Sequence, residues 1–192
     1  MPVTDLAARI LATPARLGSV RLVCVDGPAG SGKTTLAGRL VAALGDAAAL
    51  VHFDDLYAGW TMTGAQGRLQ AGVLGPLSEG RAGSHSRYDW VTRHFAAERV
   101  AVPVRDVLVV EGCGSSPRAL DPWTTLRVWV EAPVDLRLAR GLARDGEELE
   151  PEWRRWLETE AAEFAREDTR ARADVRLHGT APPADDGLAR LS

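Results

Sequence analysis

The strongest constraint on this chain is an eight-residue string, Gly27-Pro28-Ala29-Gly30-Ser31-Gly32-Lys33-Thr34, set between an apolar run and a helical pattern. It satisfies G-x-x-x-x-G-K-[ST] at every fixed position. Residues 20–25 (VRLVCV) before it read as a buried strand. Residues 33–44 (KTTLAGRLVAAL) after it carry Leu36, Leu40, Val41 and Leu44 at helical spacing. Strand, glycine loop and helix in that order form the setting in which such a loop works. Gly27, Gly30 and Gly32 allow the backbone N–H groups around Ala29 and Ser31 to close on phosphate oxygens. The helix start at Lys33, Thr34 and Thr35 adds unpaired donors and a positive dipole end. Lys33 offers a cation to the β- and γ-phosphates of a nucleotide, and the Thr34 hydroxyl can ligate Mg²⁺.

The basic residues sharpen this. Of 23, 22 are Arg and only Lys33 is Lys. A GC-rich genome accounts for many arginines but not for which position stays lysine. A compact ammonium fits a loop closed around phosphates, whereas a planar guanidinium fork does not.

Further strands read at 48–53 (AALVHF), 107–110 (VLVV), 125–131 (TLRVWVE) and 174–177 (DVRL), and helices at 4–12, 63–80, from Pro133 to about 144, and 151–168. The first helix reads as capped by Thr4 or Asp5. Alternating strands and helices predict an α/β fold: a three-layer arrangement with a parallel central sheet of about five strands. The whole of 1–192 reads as one domain, with an acceptor-site helical segment over about 57–93, a short helical lid over about 144–156 and a loose tail over 179–192. Ligands are expected beyond the carboxyl ends of the strands, at the switch in strand order.

Acids stand at two of those ends. Glu111 follows the strand 107–110, where it can hold Mg²⁺ or its water. Asp54 and Asp55 end the strand 48–53, and one of two adjacent acids should face the site while the other turns away. A carboxylate there can accept the proton of an attacking hydroxyl. Tyr57, Trp60, Tyr88 and Trp90 follow, and aromatic walls suit a planar or sugar-like ligand. Arg137, Arg140 and Arg144 share one helix face. Arg137 reads as part of a solvated face, Arg140 and Arg144 as phosphoryl clamps. Trp153 and Trp156 read as a packing stripe, and Cys24 and Cys113 as two buried small side chains.

The phosphate loop, Asp54-Asp55-Leu56-Tyr57, Arg87-Tyr88-Asp89-Trp90-Val91, Val109-Val110-Glu111-Gly112, Arg140 with Arg144-Asp145, and Thr169-Arg170-Ala171-Arg172-Ala173-Asp174-Val175 occur in the order seen in uridine kinase and its relatives. Over roughly residues 20–180 the chain resembles that family. The resemblance implies a P-loop kinase moving the γ-phosphoryl of ATP to a hydroxyl of a nucleoside-like small molecule, with ATP and Mg²⁺ as cofactors. It makes Asp54 the base and a residue near the metal, alongside Thr34 and Glu111. It places Tyr57, Tyr88 and Trp90 around the acceptor, with Arg93 a further acceptor-site candidate standing near the place of a His in the family, Arg140 and Arg144 at the phosphates, and Arg172 near the adenine. The chain departs from the family over 61–84, where Glu79 is the only acid.

Other classes fit less well. A net charge of −3 argues against a general polyanion binder, so no nucleic-acid partner is expected. No apolar run approaches the ~20 residues a bilayer span needs, and residues 1–17 lack a signal-peptide core. With two distant cysteines, these features predict a reduced, cytoplasmic protein, either a monomer or a homo-oligomer. A nucleoside monophosphate kinase would need arginines for an acceptor phosphate, which Arg68, Arg81, Arg87 and Arg93 could supply. A non-catalytic NTP-binding regulator would bind ATP without acceptor-stimulated turnover. An N-K-x-D guanine motif is excluded, because the one lysine is Lys33.

Overall fold

The computed structural model describes residues 2–180 and the backbone of Ala189–Arg190. Helix α1 (Val3–Ala12) leads to β1 (Arg21–Asp26), the glycine loop and α2 (Lys33–Leu44). Then come β2 (Ala48–His52), a 3₁₀ turn Phe53–Leu56, α3 (Ala65–Leu69), a π turn Gln70–Leu74 and α4 (Gly75–Ser78). Strands β3 (Gly83–Asp89) and β4 (His94–Val102) precede β5 (Val107–Glu111) and β6 (Thr124–Glu131). Helices α5 (Val134–Asp145), α6 (Glu150–Glu167) and α7 (Thr169–Arg172) precede β7 (Val175–His178) and β8 (Ala189–Arg190).

Five strands form a parallel sheet in the order β2-β5-β1-β6-β7, with β8 added antiparallel to β7. Alternate residues of β1 serve two cores, as a strand buried on both faces must. Leu22 and Cys24 pack against Phe53, Leu56 and the helical run after them. Val23 and Val25 pack against α1 and α2. The expected three-layer parallel architecture is therefore present. β1 lies where the order switches, with β5 on one side and β6 on the other. The register sets Val25 and His52 level with Glu111, so three strands present their carboxyl ends together.

Three local expectations need correction. Helix α1 begins after Pro2, with no side-chain cap from Thr4 or Asp5. The segment 57–93 is helical only over α3, the π turn and α4, after which β3 and β4 form an antiparallel hairpin. Glycine explains the switch. A Cβ on Gly72 would lie 2.6 Å from the Ser84 oxygen, and one on Gly83 would lie 2.8 Å from the Gly72 oxygen. Helix and strand backbones therefore touch where both residues lack side chains. The third concerns only the turn between the helices of 144–156: the bend falls at Gly146 (φ +110°) and the helix restarts at Glu150-Pro151 as expected, but the turn Glu147–Leu149 joins α5 to α6. Of the tail expected to be loose, Gly179 is held by its N–H to the Glu131 oxygen at 2.8 Å. Residues 181–188 and 191–192 lie outside the described residues.

Candidate active site

The glycine loop leaves β1 through Asp26. This buried carboxylate accepts the N–H groups of Gly27 (2.7 Å), Gly114 (2.9 Å) and Ser116 (2.9 Å). Burial pushes it up to about 6, against the pull of those donors and Lys33. Gly27 (φ +143°) lies so close to Val130 that a Cβ would fall on its carbonyl oxygen. At Gly30 (φ +75°) a Cβ would lie 2.5 Å from the Arg137 oxygen. These glycines let the loop lie flat against β6 and α5 while Gly32 (φ +98°) opens α2.

Lys33 is buried. Its Nζ donates to the Pro28 oxygen at 2.9 Å and lies 3.5 Å from the Cys113 sulfur. Burial pulls its pKa down, but the acidic groups around it, Cys113, Asp54, Glu111 and Asp26, more than restore it, and the net shift is upward. The Thr34 hydroxyl lies 3.2 Å from both oxygens of Glu111. His52 Nδ1 lies 2.6 Å from Glu111 Oε1, and that hydrogen bond raises the imidazole above its usual range.

Asp54 and Asp55 part company as adjacent acids should. Asp55 pairs with Arg87 at 3.1 Å, whereas Asp54 lines the cleft above Lys33. The Asp54 carboxylate is open to the cleft but deep within it, with protein on most sides. That enclosure raises its pKa against the opposing pull of Lys33. Gly112 makes room for it: a Cβ there would lie 2.9 Å from Asp54 Oδ1.

Loop and carboxylates line one cleft of about 1270 Å³. Ala29, Gly30, Gly32, Lys33, Thr34, Thr35, Asp54 and Glu111 line it on the glycine-loop side. Gly27 and Ser31 are covered within the loop. Also lining the cleft are Trp60, Tyr88 and Trp90, with Trp153 and Trp156 from α6 and Arg93 from the hairpin turn. Trp60 sits edge-to-face with Trp90 (5.7 Å), Trp153 (6.0 Å) and Trp156 (6.0 Å). The tryptophan pair of α6 therefore packs the core, as expected, and also walls the cleft. Tyr57 is buried, and its hydroxyl donates to the Cys113 oxygen at 2.6 Å.

The arginines divide. Arg144 lines the cleft, held by Asp145 (2.7 Å) with its guanidinium 5.7 Å from the Trp153 ring centre. Arg140 also lines it but donates to the oxygens of Gly30 (3.1 Å) and Gly179 (2.8 Å), tying the loop to the chain after β7. Arg137 is not on a solvated face. It forms an ion pair with Glu160 at 2.7 Å, both side chains being nearly buried. Arg172 does not line the cleft, because Asp121 and the oxygens of Ser116 and Glu167 claim its guanidinium.

Sequence reasoning missed His52 and Glu160. His52 had one available signal: it ends β2 just as Glu111 ends β5. Glu160 had none, since its role depends on how α6 docks.

The residues fit a nucleotide phosphate with Mg²⁺. The first turn of α2 presents N–H groups without intrahelical partners, and Thr34, Glu111 and Asp54 supply hard oxygen donors. Among the described residues no group of three or more His, Cys, Asp or Glu forms a metal cage. Among them, too, no helix is long and apolar enough to cross a membrane.

No family model matches the chain. Uridine kinase of Halobacterium salinarum is 28% identical over 154 residues, covering 70% of this chain and 68% of that protein. Uridine kinase of Staphylococcus haemolyticus is 26% identical over 148 residues, covering 69% and 72%. The structure of a possible uridine kinase from Bacillus stearothermophilus superposes with a TM-score of 0.67 at 22% identity, over 91% of this chain and 96% of that one. The chain therefore resembles the uridine kinases in sequence and has the fold of the P-loop kinases.

Proposed function

We propose that the protein is an ATP- and Mg²⁺-dependent kinase that transfers the γ-phosphoryl group to a hydroxyl of a small, ring-bearing acceptor of nucleoside type. One observation carries the reading: Asp54 opens onto the same cleft as the glycine loop and the aromatic wall. The acceptor hydroxyl attacks phosphorus, its proton passes to Asp54, and the bond to the β-phosphate oxygen breaks with its electron pair leaving on ADP. Facing the cleft beside the glycine loop, Asp54 can take that proton and orient the attacking oxygen. Lys33 and Arg144 offset the charge on the transferring group. Thr34, Glu111 and Asp54 would hold Mg²⁺, which supplies charge neutralisation and orientation. The aromatic wall would seat the acceptor ring and exclude water that could otherwise take the phosphoryl group.

The monophosphate-kinase reading is weaker. Arg68 donates to the Leu56 and Thr63 oxygens, Arg81 pairs with Glu79, and Arg87 pairs with Asp55. Of those four arginines, Arg93 alone lines the cleft. ADP release measured across nucleosides, nucleoside monophosphates, sugars and small alcohols tests the proposal. Stimulation by uridine, cytidine or another uncharged ring-bearing alcohol supports it. Stimulation only by monophosphates, or ATP binding with no stimulated turnover, refutes it.

A further inference from the structure

A carboxylate bonded to a phosphate-binding loop needs explaining, because it places an anion where anions are meant to bind. Glu160 is that group. Its side chain is 2% exposed, and Oε2 accepts the Ala29 N–H at 2.7 Å. Oε1 accepts from Arg137 Nη1 at 2.7 Å. Arg137 donates in turn to the Ala132 and Ala29 oxygens, at 3.1 and 3.4 Å. The Cys113 thiol donates to Glu160 Oε2 at 3.5 Å and touches Lys33 Nζ at the same distance. One carboxylate thus joins the loop, α5, the chain after β5 and α6.

Arg137 resolves the charge problem. Paired at 2.7 Å, the two side chains present little net charge to an incoming phosphate, while the carboxylate keeps its geometric hold on Ala29. Glu160 also shares a face of α6 with Trp153 and Trp156, at i, i+3 and i+7. The helix that carries part of the aromatic wall therefore also grips the loop.

We propose that Glu160, neutralised by Arg137, is a positioning residue that holds the phosphate loop in its anion-binding shape and links that loop to α6. The inference rests on the reading of the loop as a nucleotide-phosphate site. It assigns Glu160 no contact with substrate.

The test uses the full-length protein with Glu160→Ala, Glu160→Gln and Arg137→Met. Affinity for adenosine 5′-(β,γ-imido)triphosphate with Mg²⁺ is measured by calorimetry. Hydrogen–deuterium exchange follows the peptide spanning residues 27–32 beside peptides from β1 and β5. Glu160→Ala should weaken the nucleotide tenfold or more and speed loop exchange, with strand protection unchanged. Glu160→Gln keeps an oxygen for the Ala29 N–H and should lose less. Arg137→Met leaves an uncompensated carboxylate and should weaken the nucleotide at least as much as Glu160→Ala. If Glu160→Ala does not fold, Glu160→Gln carries the test, with a threefold loss and faster loop exchange expected. Affinity within twofold of the parent in folded Glu160→Ala overturns the proposal. So does exchange that rises equally in the loop and the strands, which would mean a general structural role. Nucleotide binding without phosphoryl transfer would refute the kinase reading and leave this one standing. A parent that binds no nucleotide refutes the reading of the loop as a phosphate site, and this inference falls with it.

Discussion

Gly141→Ala should destabilise the protein, although the usual expectation for a helix interior is the reverse. Gly141 lies within α5, where replacing glycine by alanine gains about 1 kcal/mol of helix propensity. Here the new Cβ would lie 2.5 Å from Trp153 Cε2 and 2.6 Å from Cη2. That is about 1 Å inside ordinary carbon–carbon contact. The indole cannot yield by bending. It is 1% exposed, and its Nε1 donates to Asp145 Oδ2 at 3.1 Å. The start of α6 must move instead, and contact this close with three ring carbons puts the cost in the upper part of the overpacking range, about 2–3 kcal/mol. After the propensity gain, a net loss of about 1–2 kcal/mol remains. For a chain of this size that lowers Tm by roughly 2–8 °C. Urea denaturation followed by far-UV circular dichroism measures it without depending on the displaced tryptophan. Because Trp153 and Trp60 stand 6.0 Å apart in the cleft wall, KM for the acceptor should rise while KM for ATP stays within twofold. A variant as stable as the parent, or more so, would refute the packing argument.

Two further outcomes follow. Lys33→Arg, conservative in charge, should cut turnover by about a hundredfold or more, because the buried Nζ sits between the Pro28 oxygen and the Cys113 sulfur with no room for a planar fork. Steady-state ADP release measures this, and near-normal turnover would contradict it. Asp26 should make stability fall as pH rises through its own titration. Its folded-state pKa of about 6 exceeds the ordinary 3.8, so between roughly pH 4 and 6 the native state keeps a proton that the unfolded chain has lost. The gap corresponds to about 3 kcal/mol. Subtracting the urea-unfolding free energy of Asp26→Asn from that of the parent at each pH isolates it. A difference that stays flat or rises with pH across that window would contradict the assignment.

The central sheet was legible because β1, β2 and β5 centre on short apolar runs, β6 carries a shorter one, β7 alternates apolar with polar residues, and the glycine loop fixes which one is β1. Strand-end logic carried Glu111 and Asp54 to the cleft for the same reason. The β3–β4 hairpin was not legible. Gly83–Asp89 reads GSHSRYD, with little apolar alternation, and its order comes from backbone contact with Gly72 and from pairs such as Tyr88 with Phe95. Arginine roles were harder still. Arg137, Arg140 and Arg144 share one face by spacing, yet one is buried against Glu160, one ties two backbone segments together, and one lies over Trp153. Those partners are set by how α6 and the chain after β7 pack, which helical spacing does not encode. Arg172 failed for a like reason, since Asp121 and Glu167 take it first.

The most direct test is to follow label from [γ-³²P]ATP into uridine, cytidine or the best acceptor from the ADP-release panel, for the parent and for Asp54→Asn. The account predicts Mg²⁺-dependent label on the acceptor with the parent. With Asp54→Asn the rate should fall about a hundredfold or more, with affinity for the ATP analogue retained. Label transfer that Asp54→Asn leaves unchanged, or no labelled acceptor from a parent that binds ATP, would contradict it.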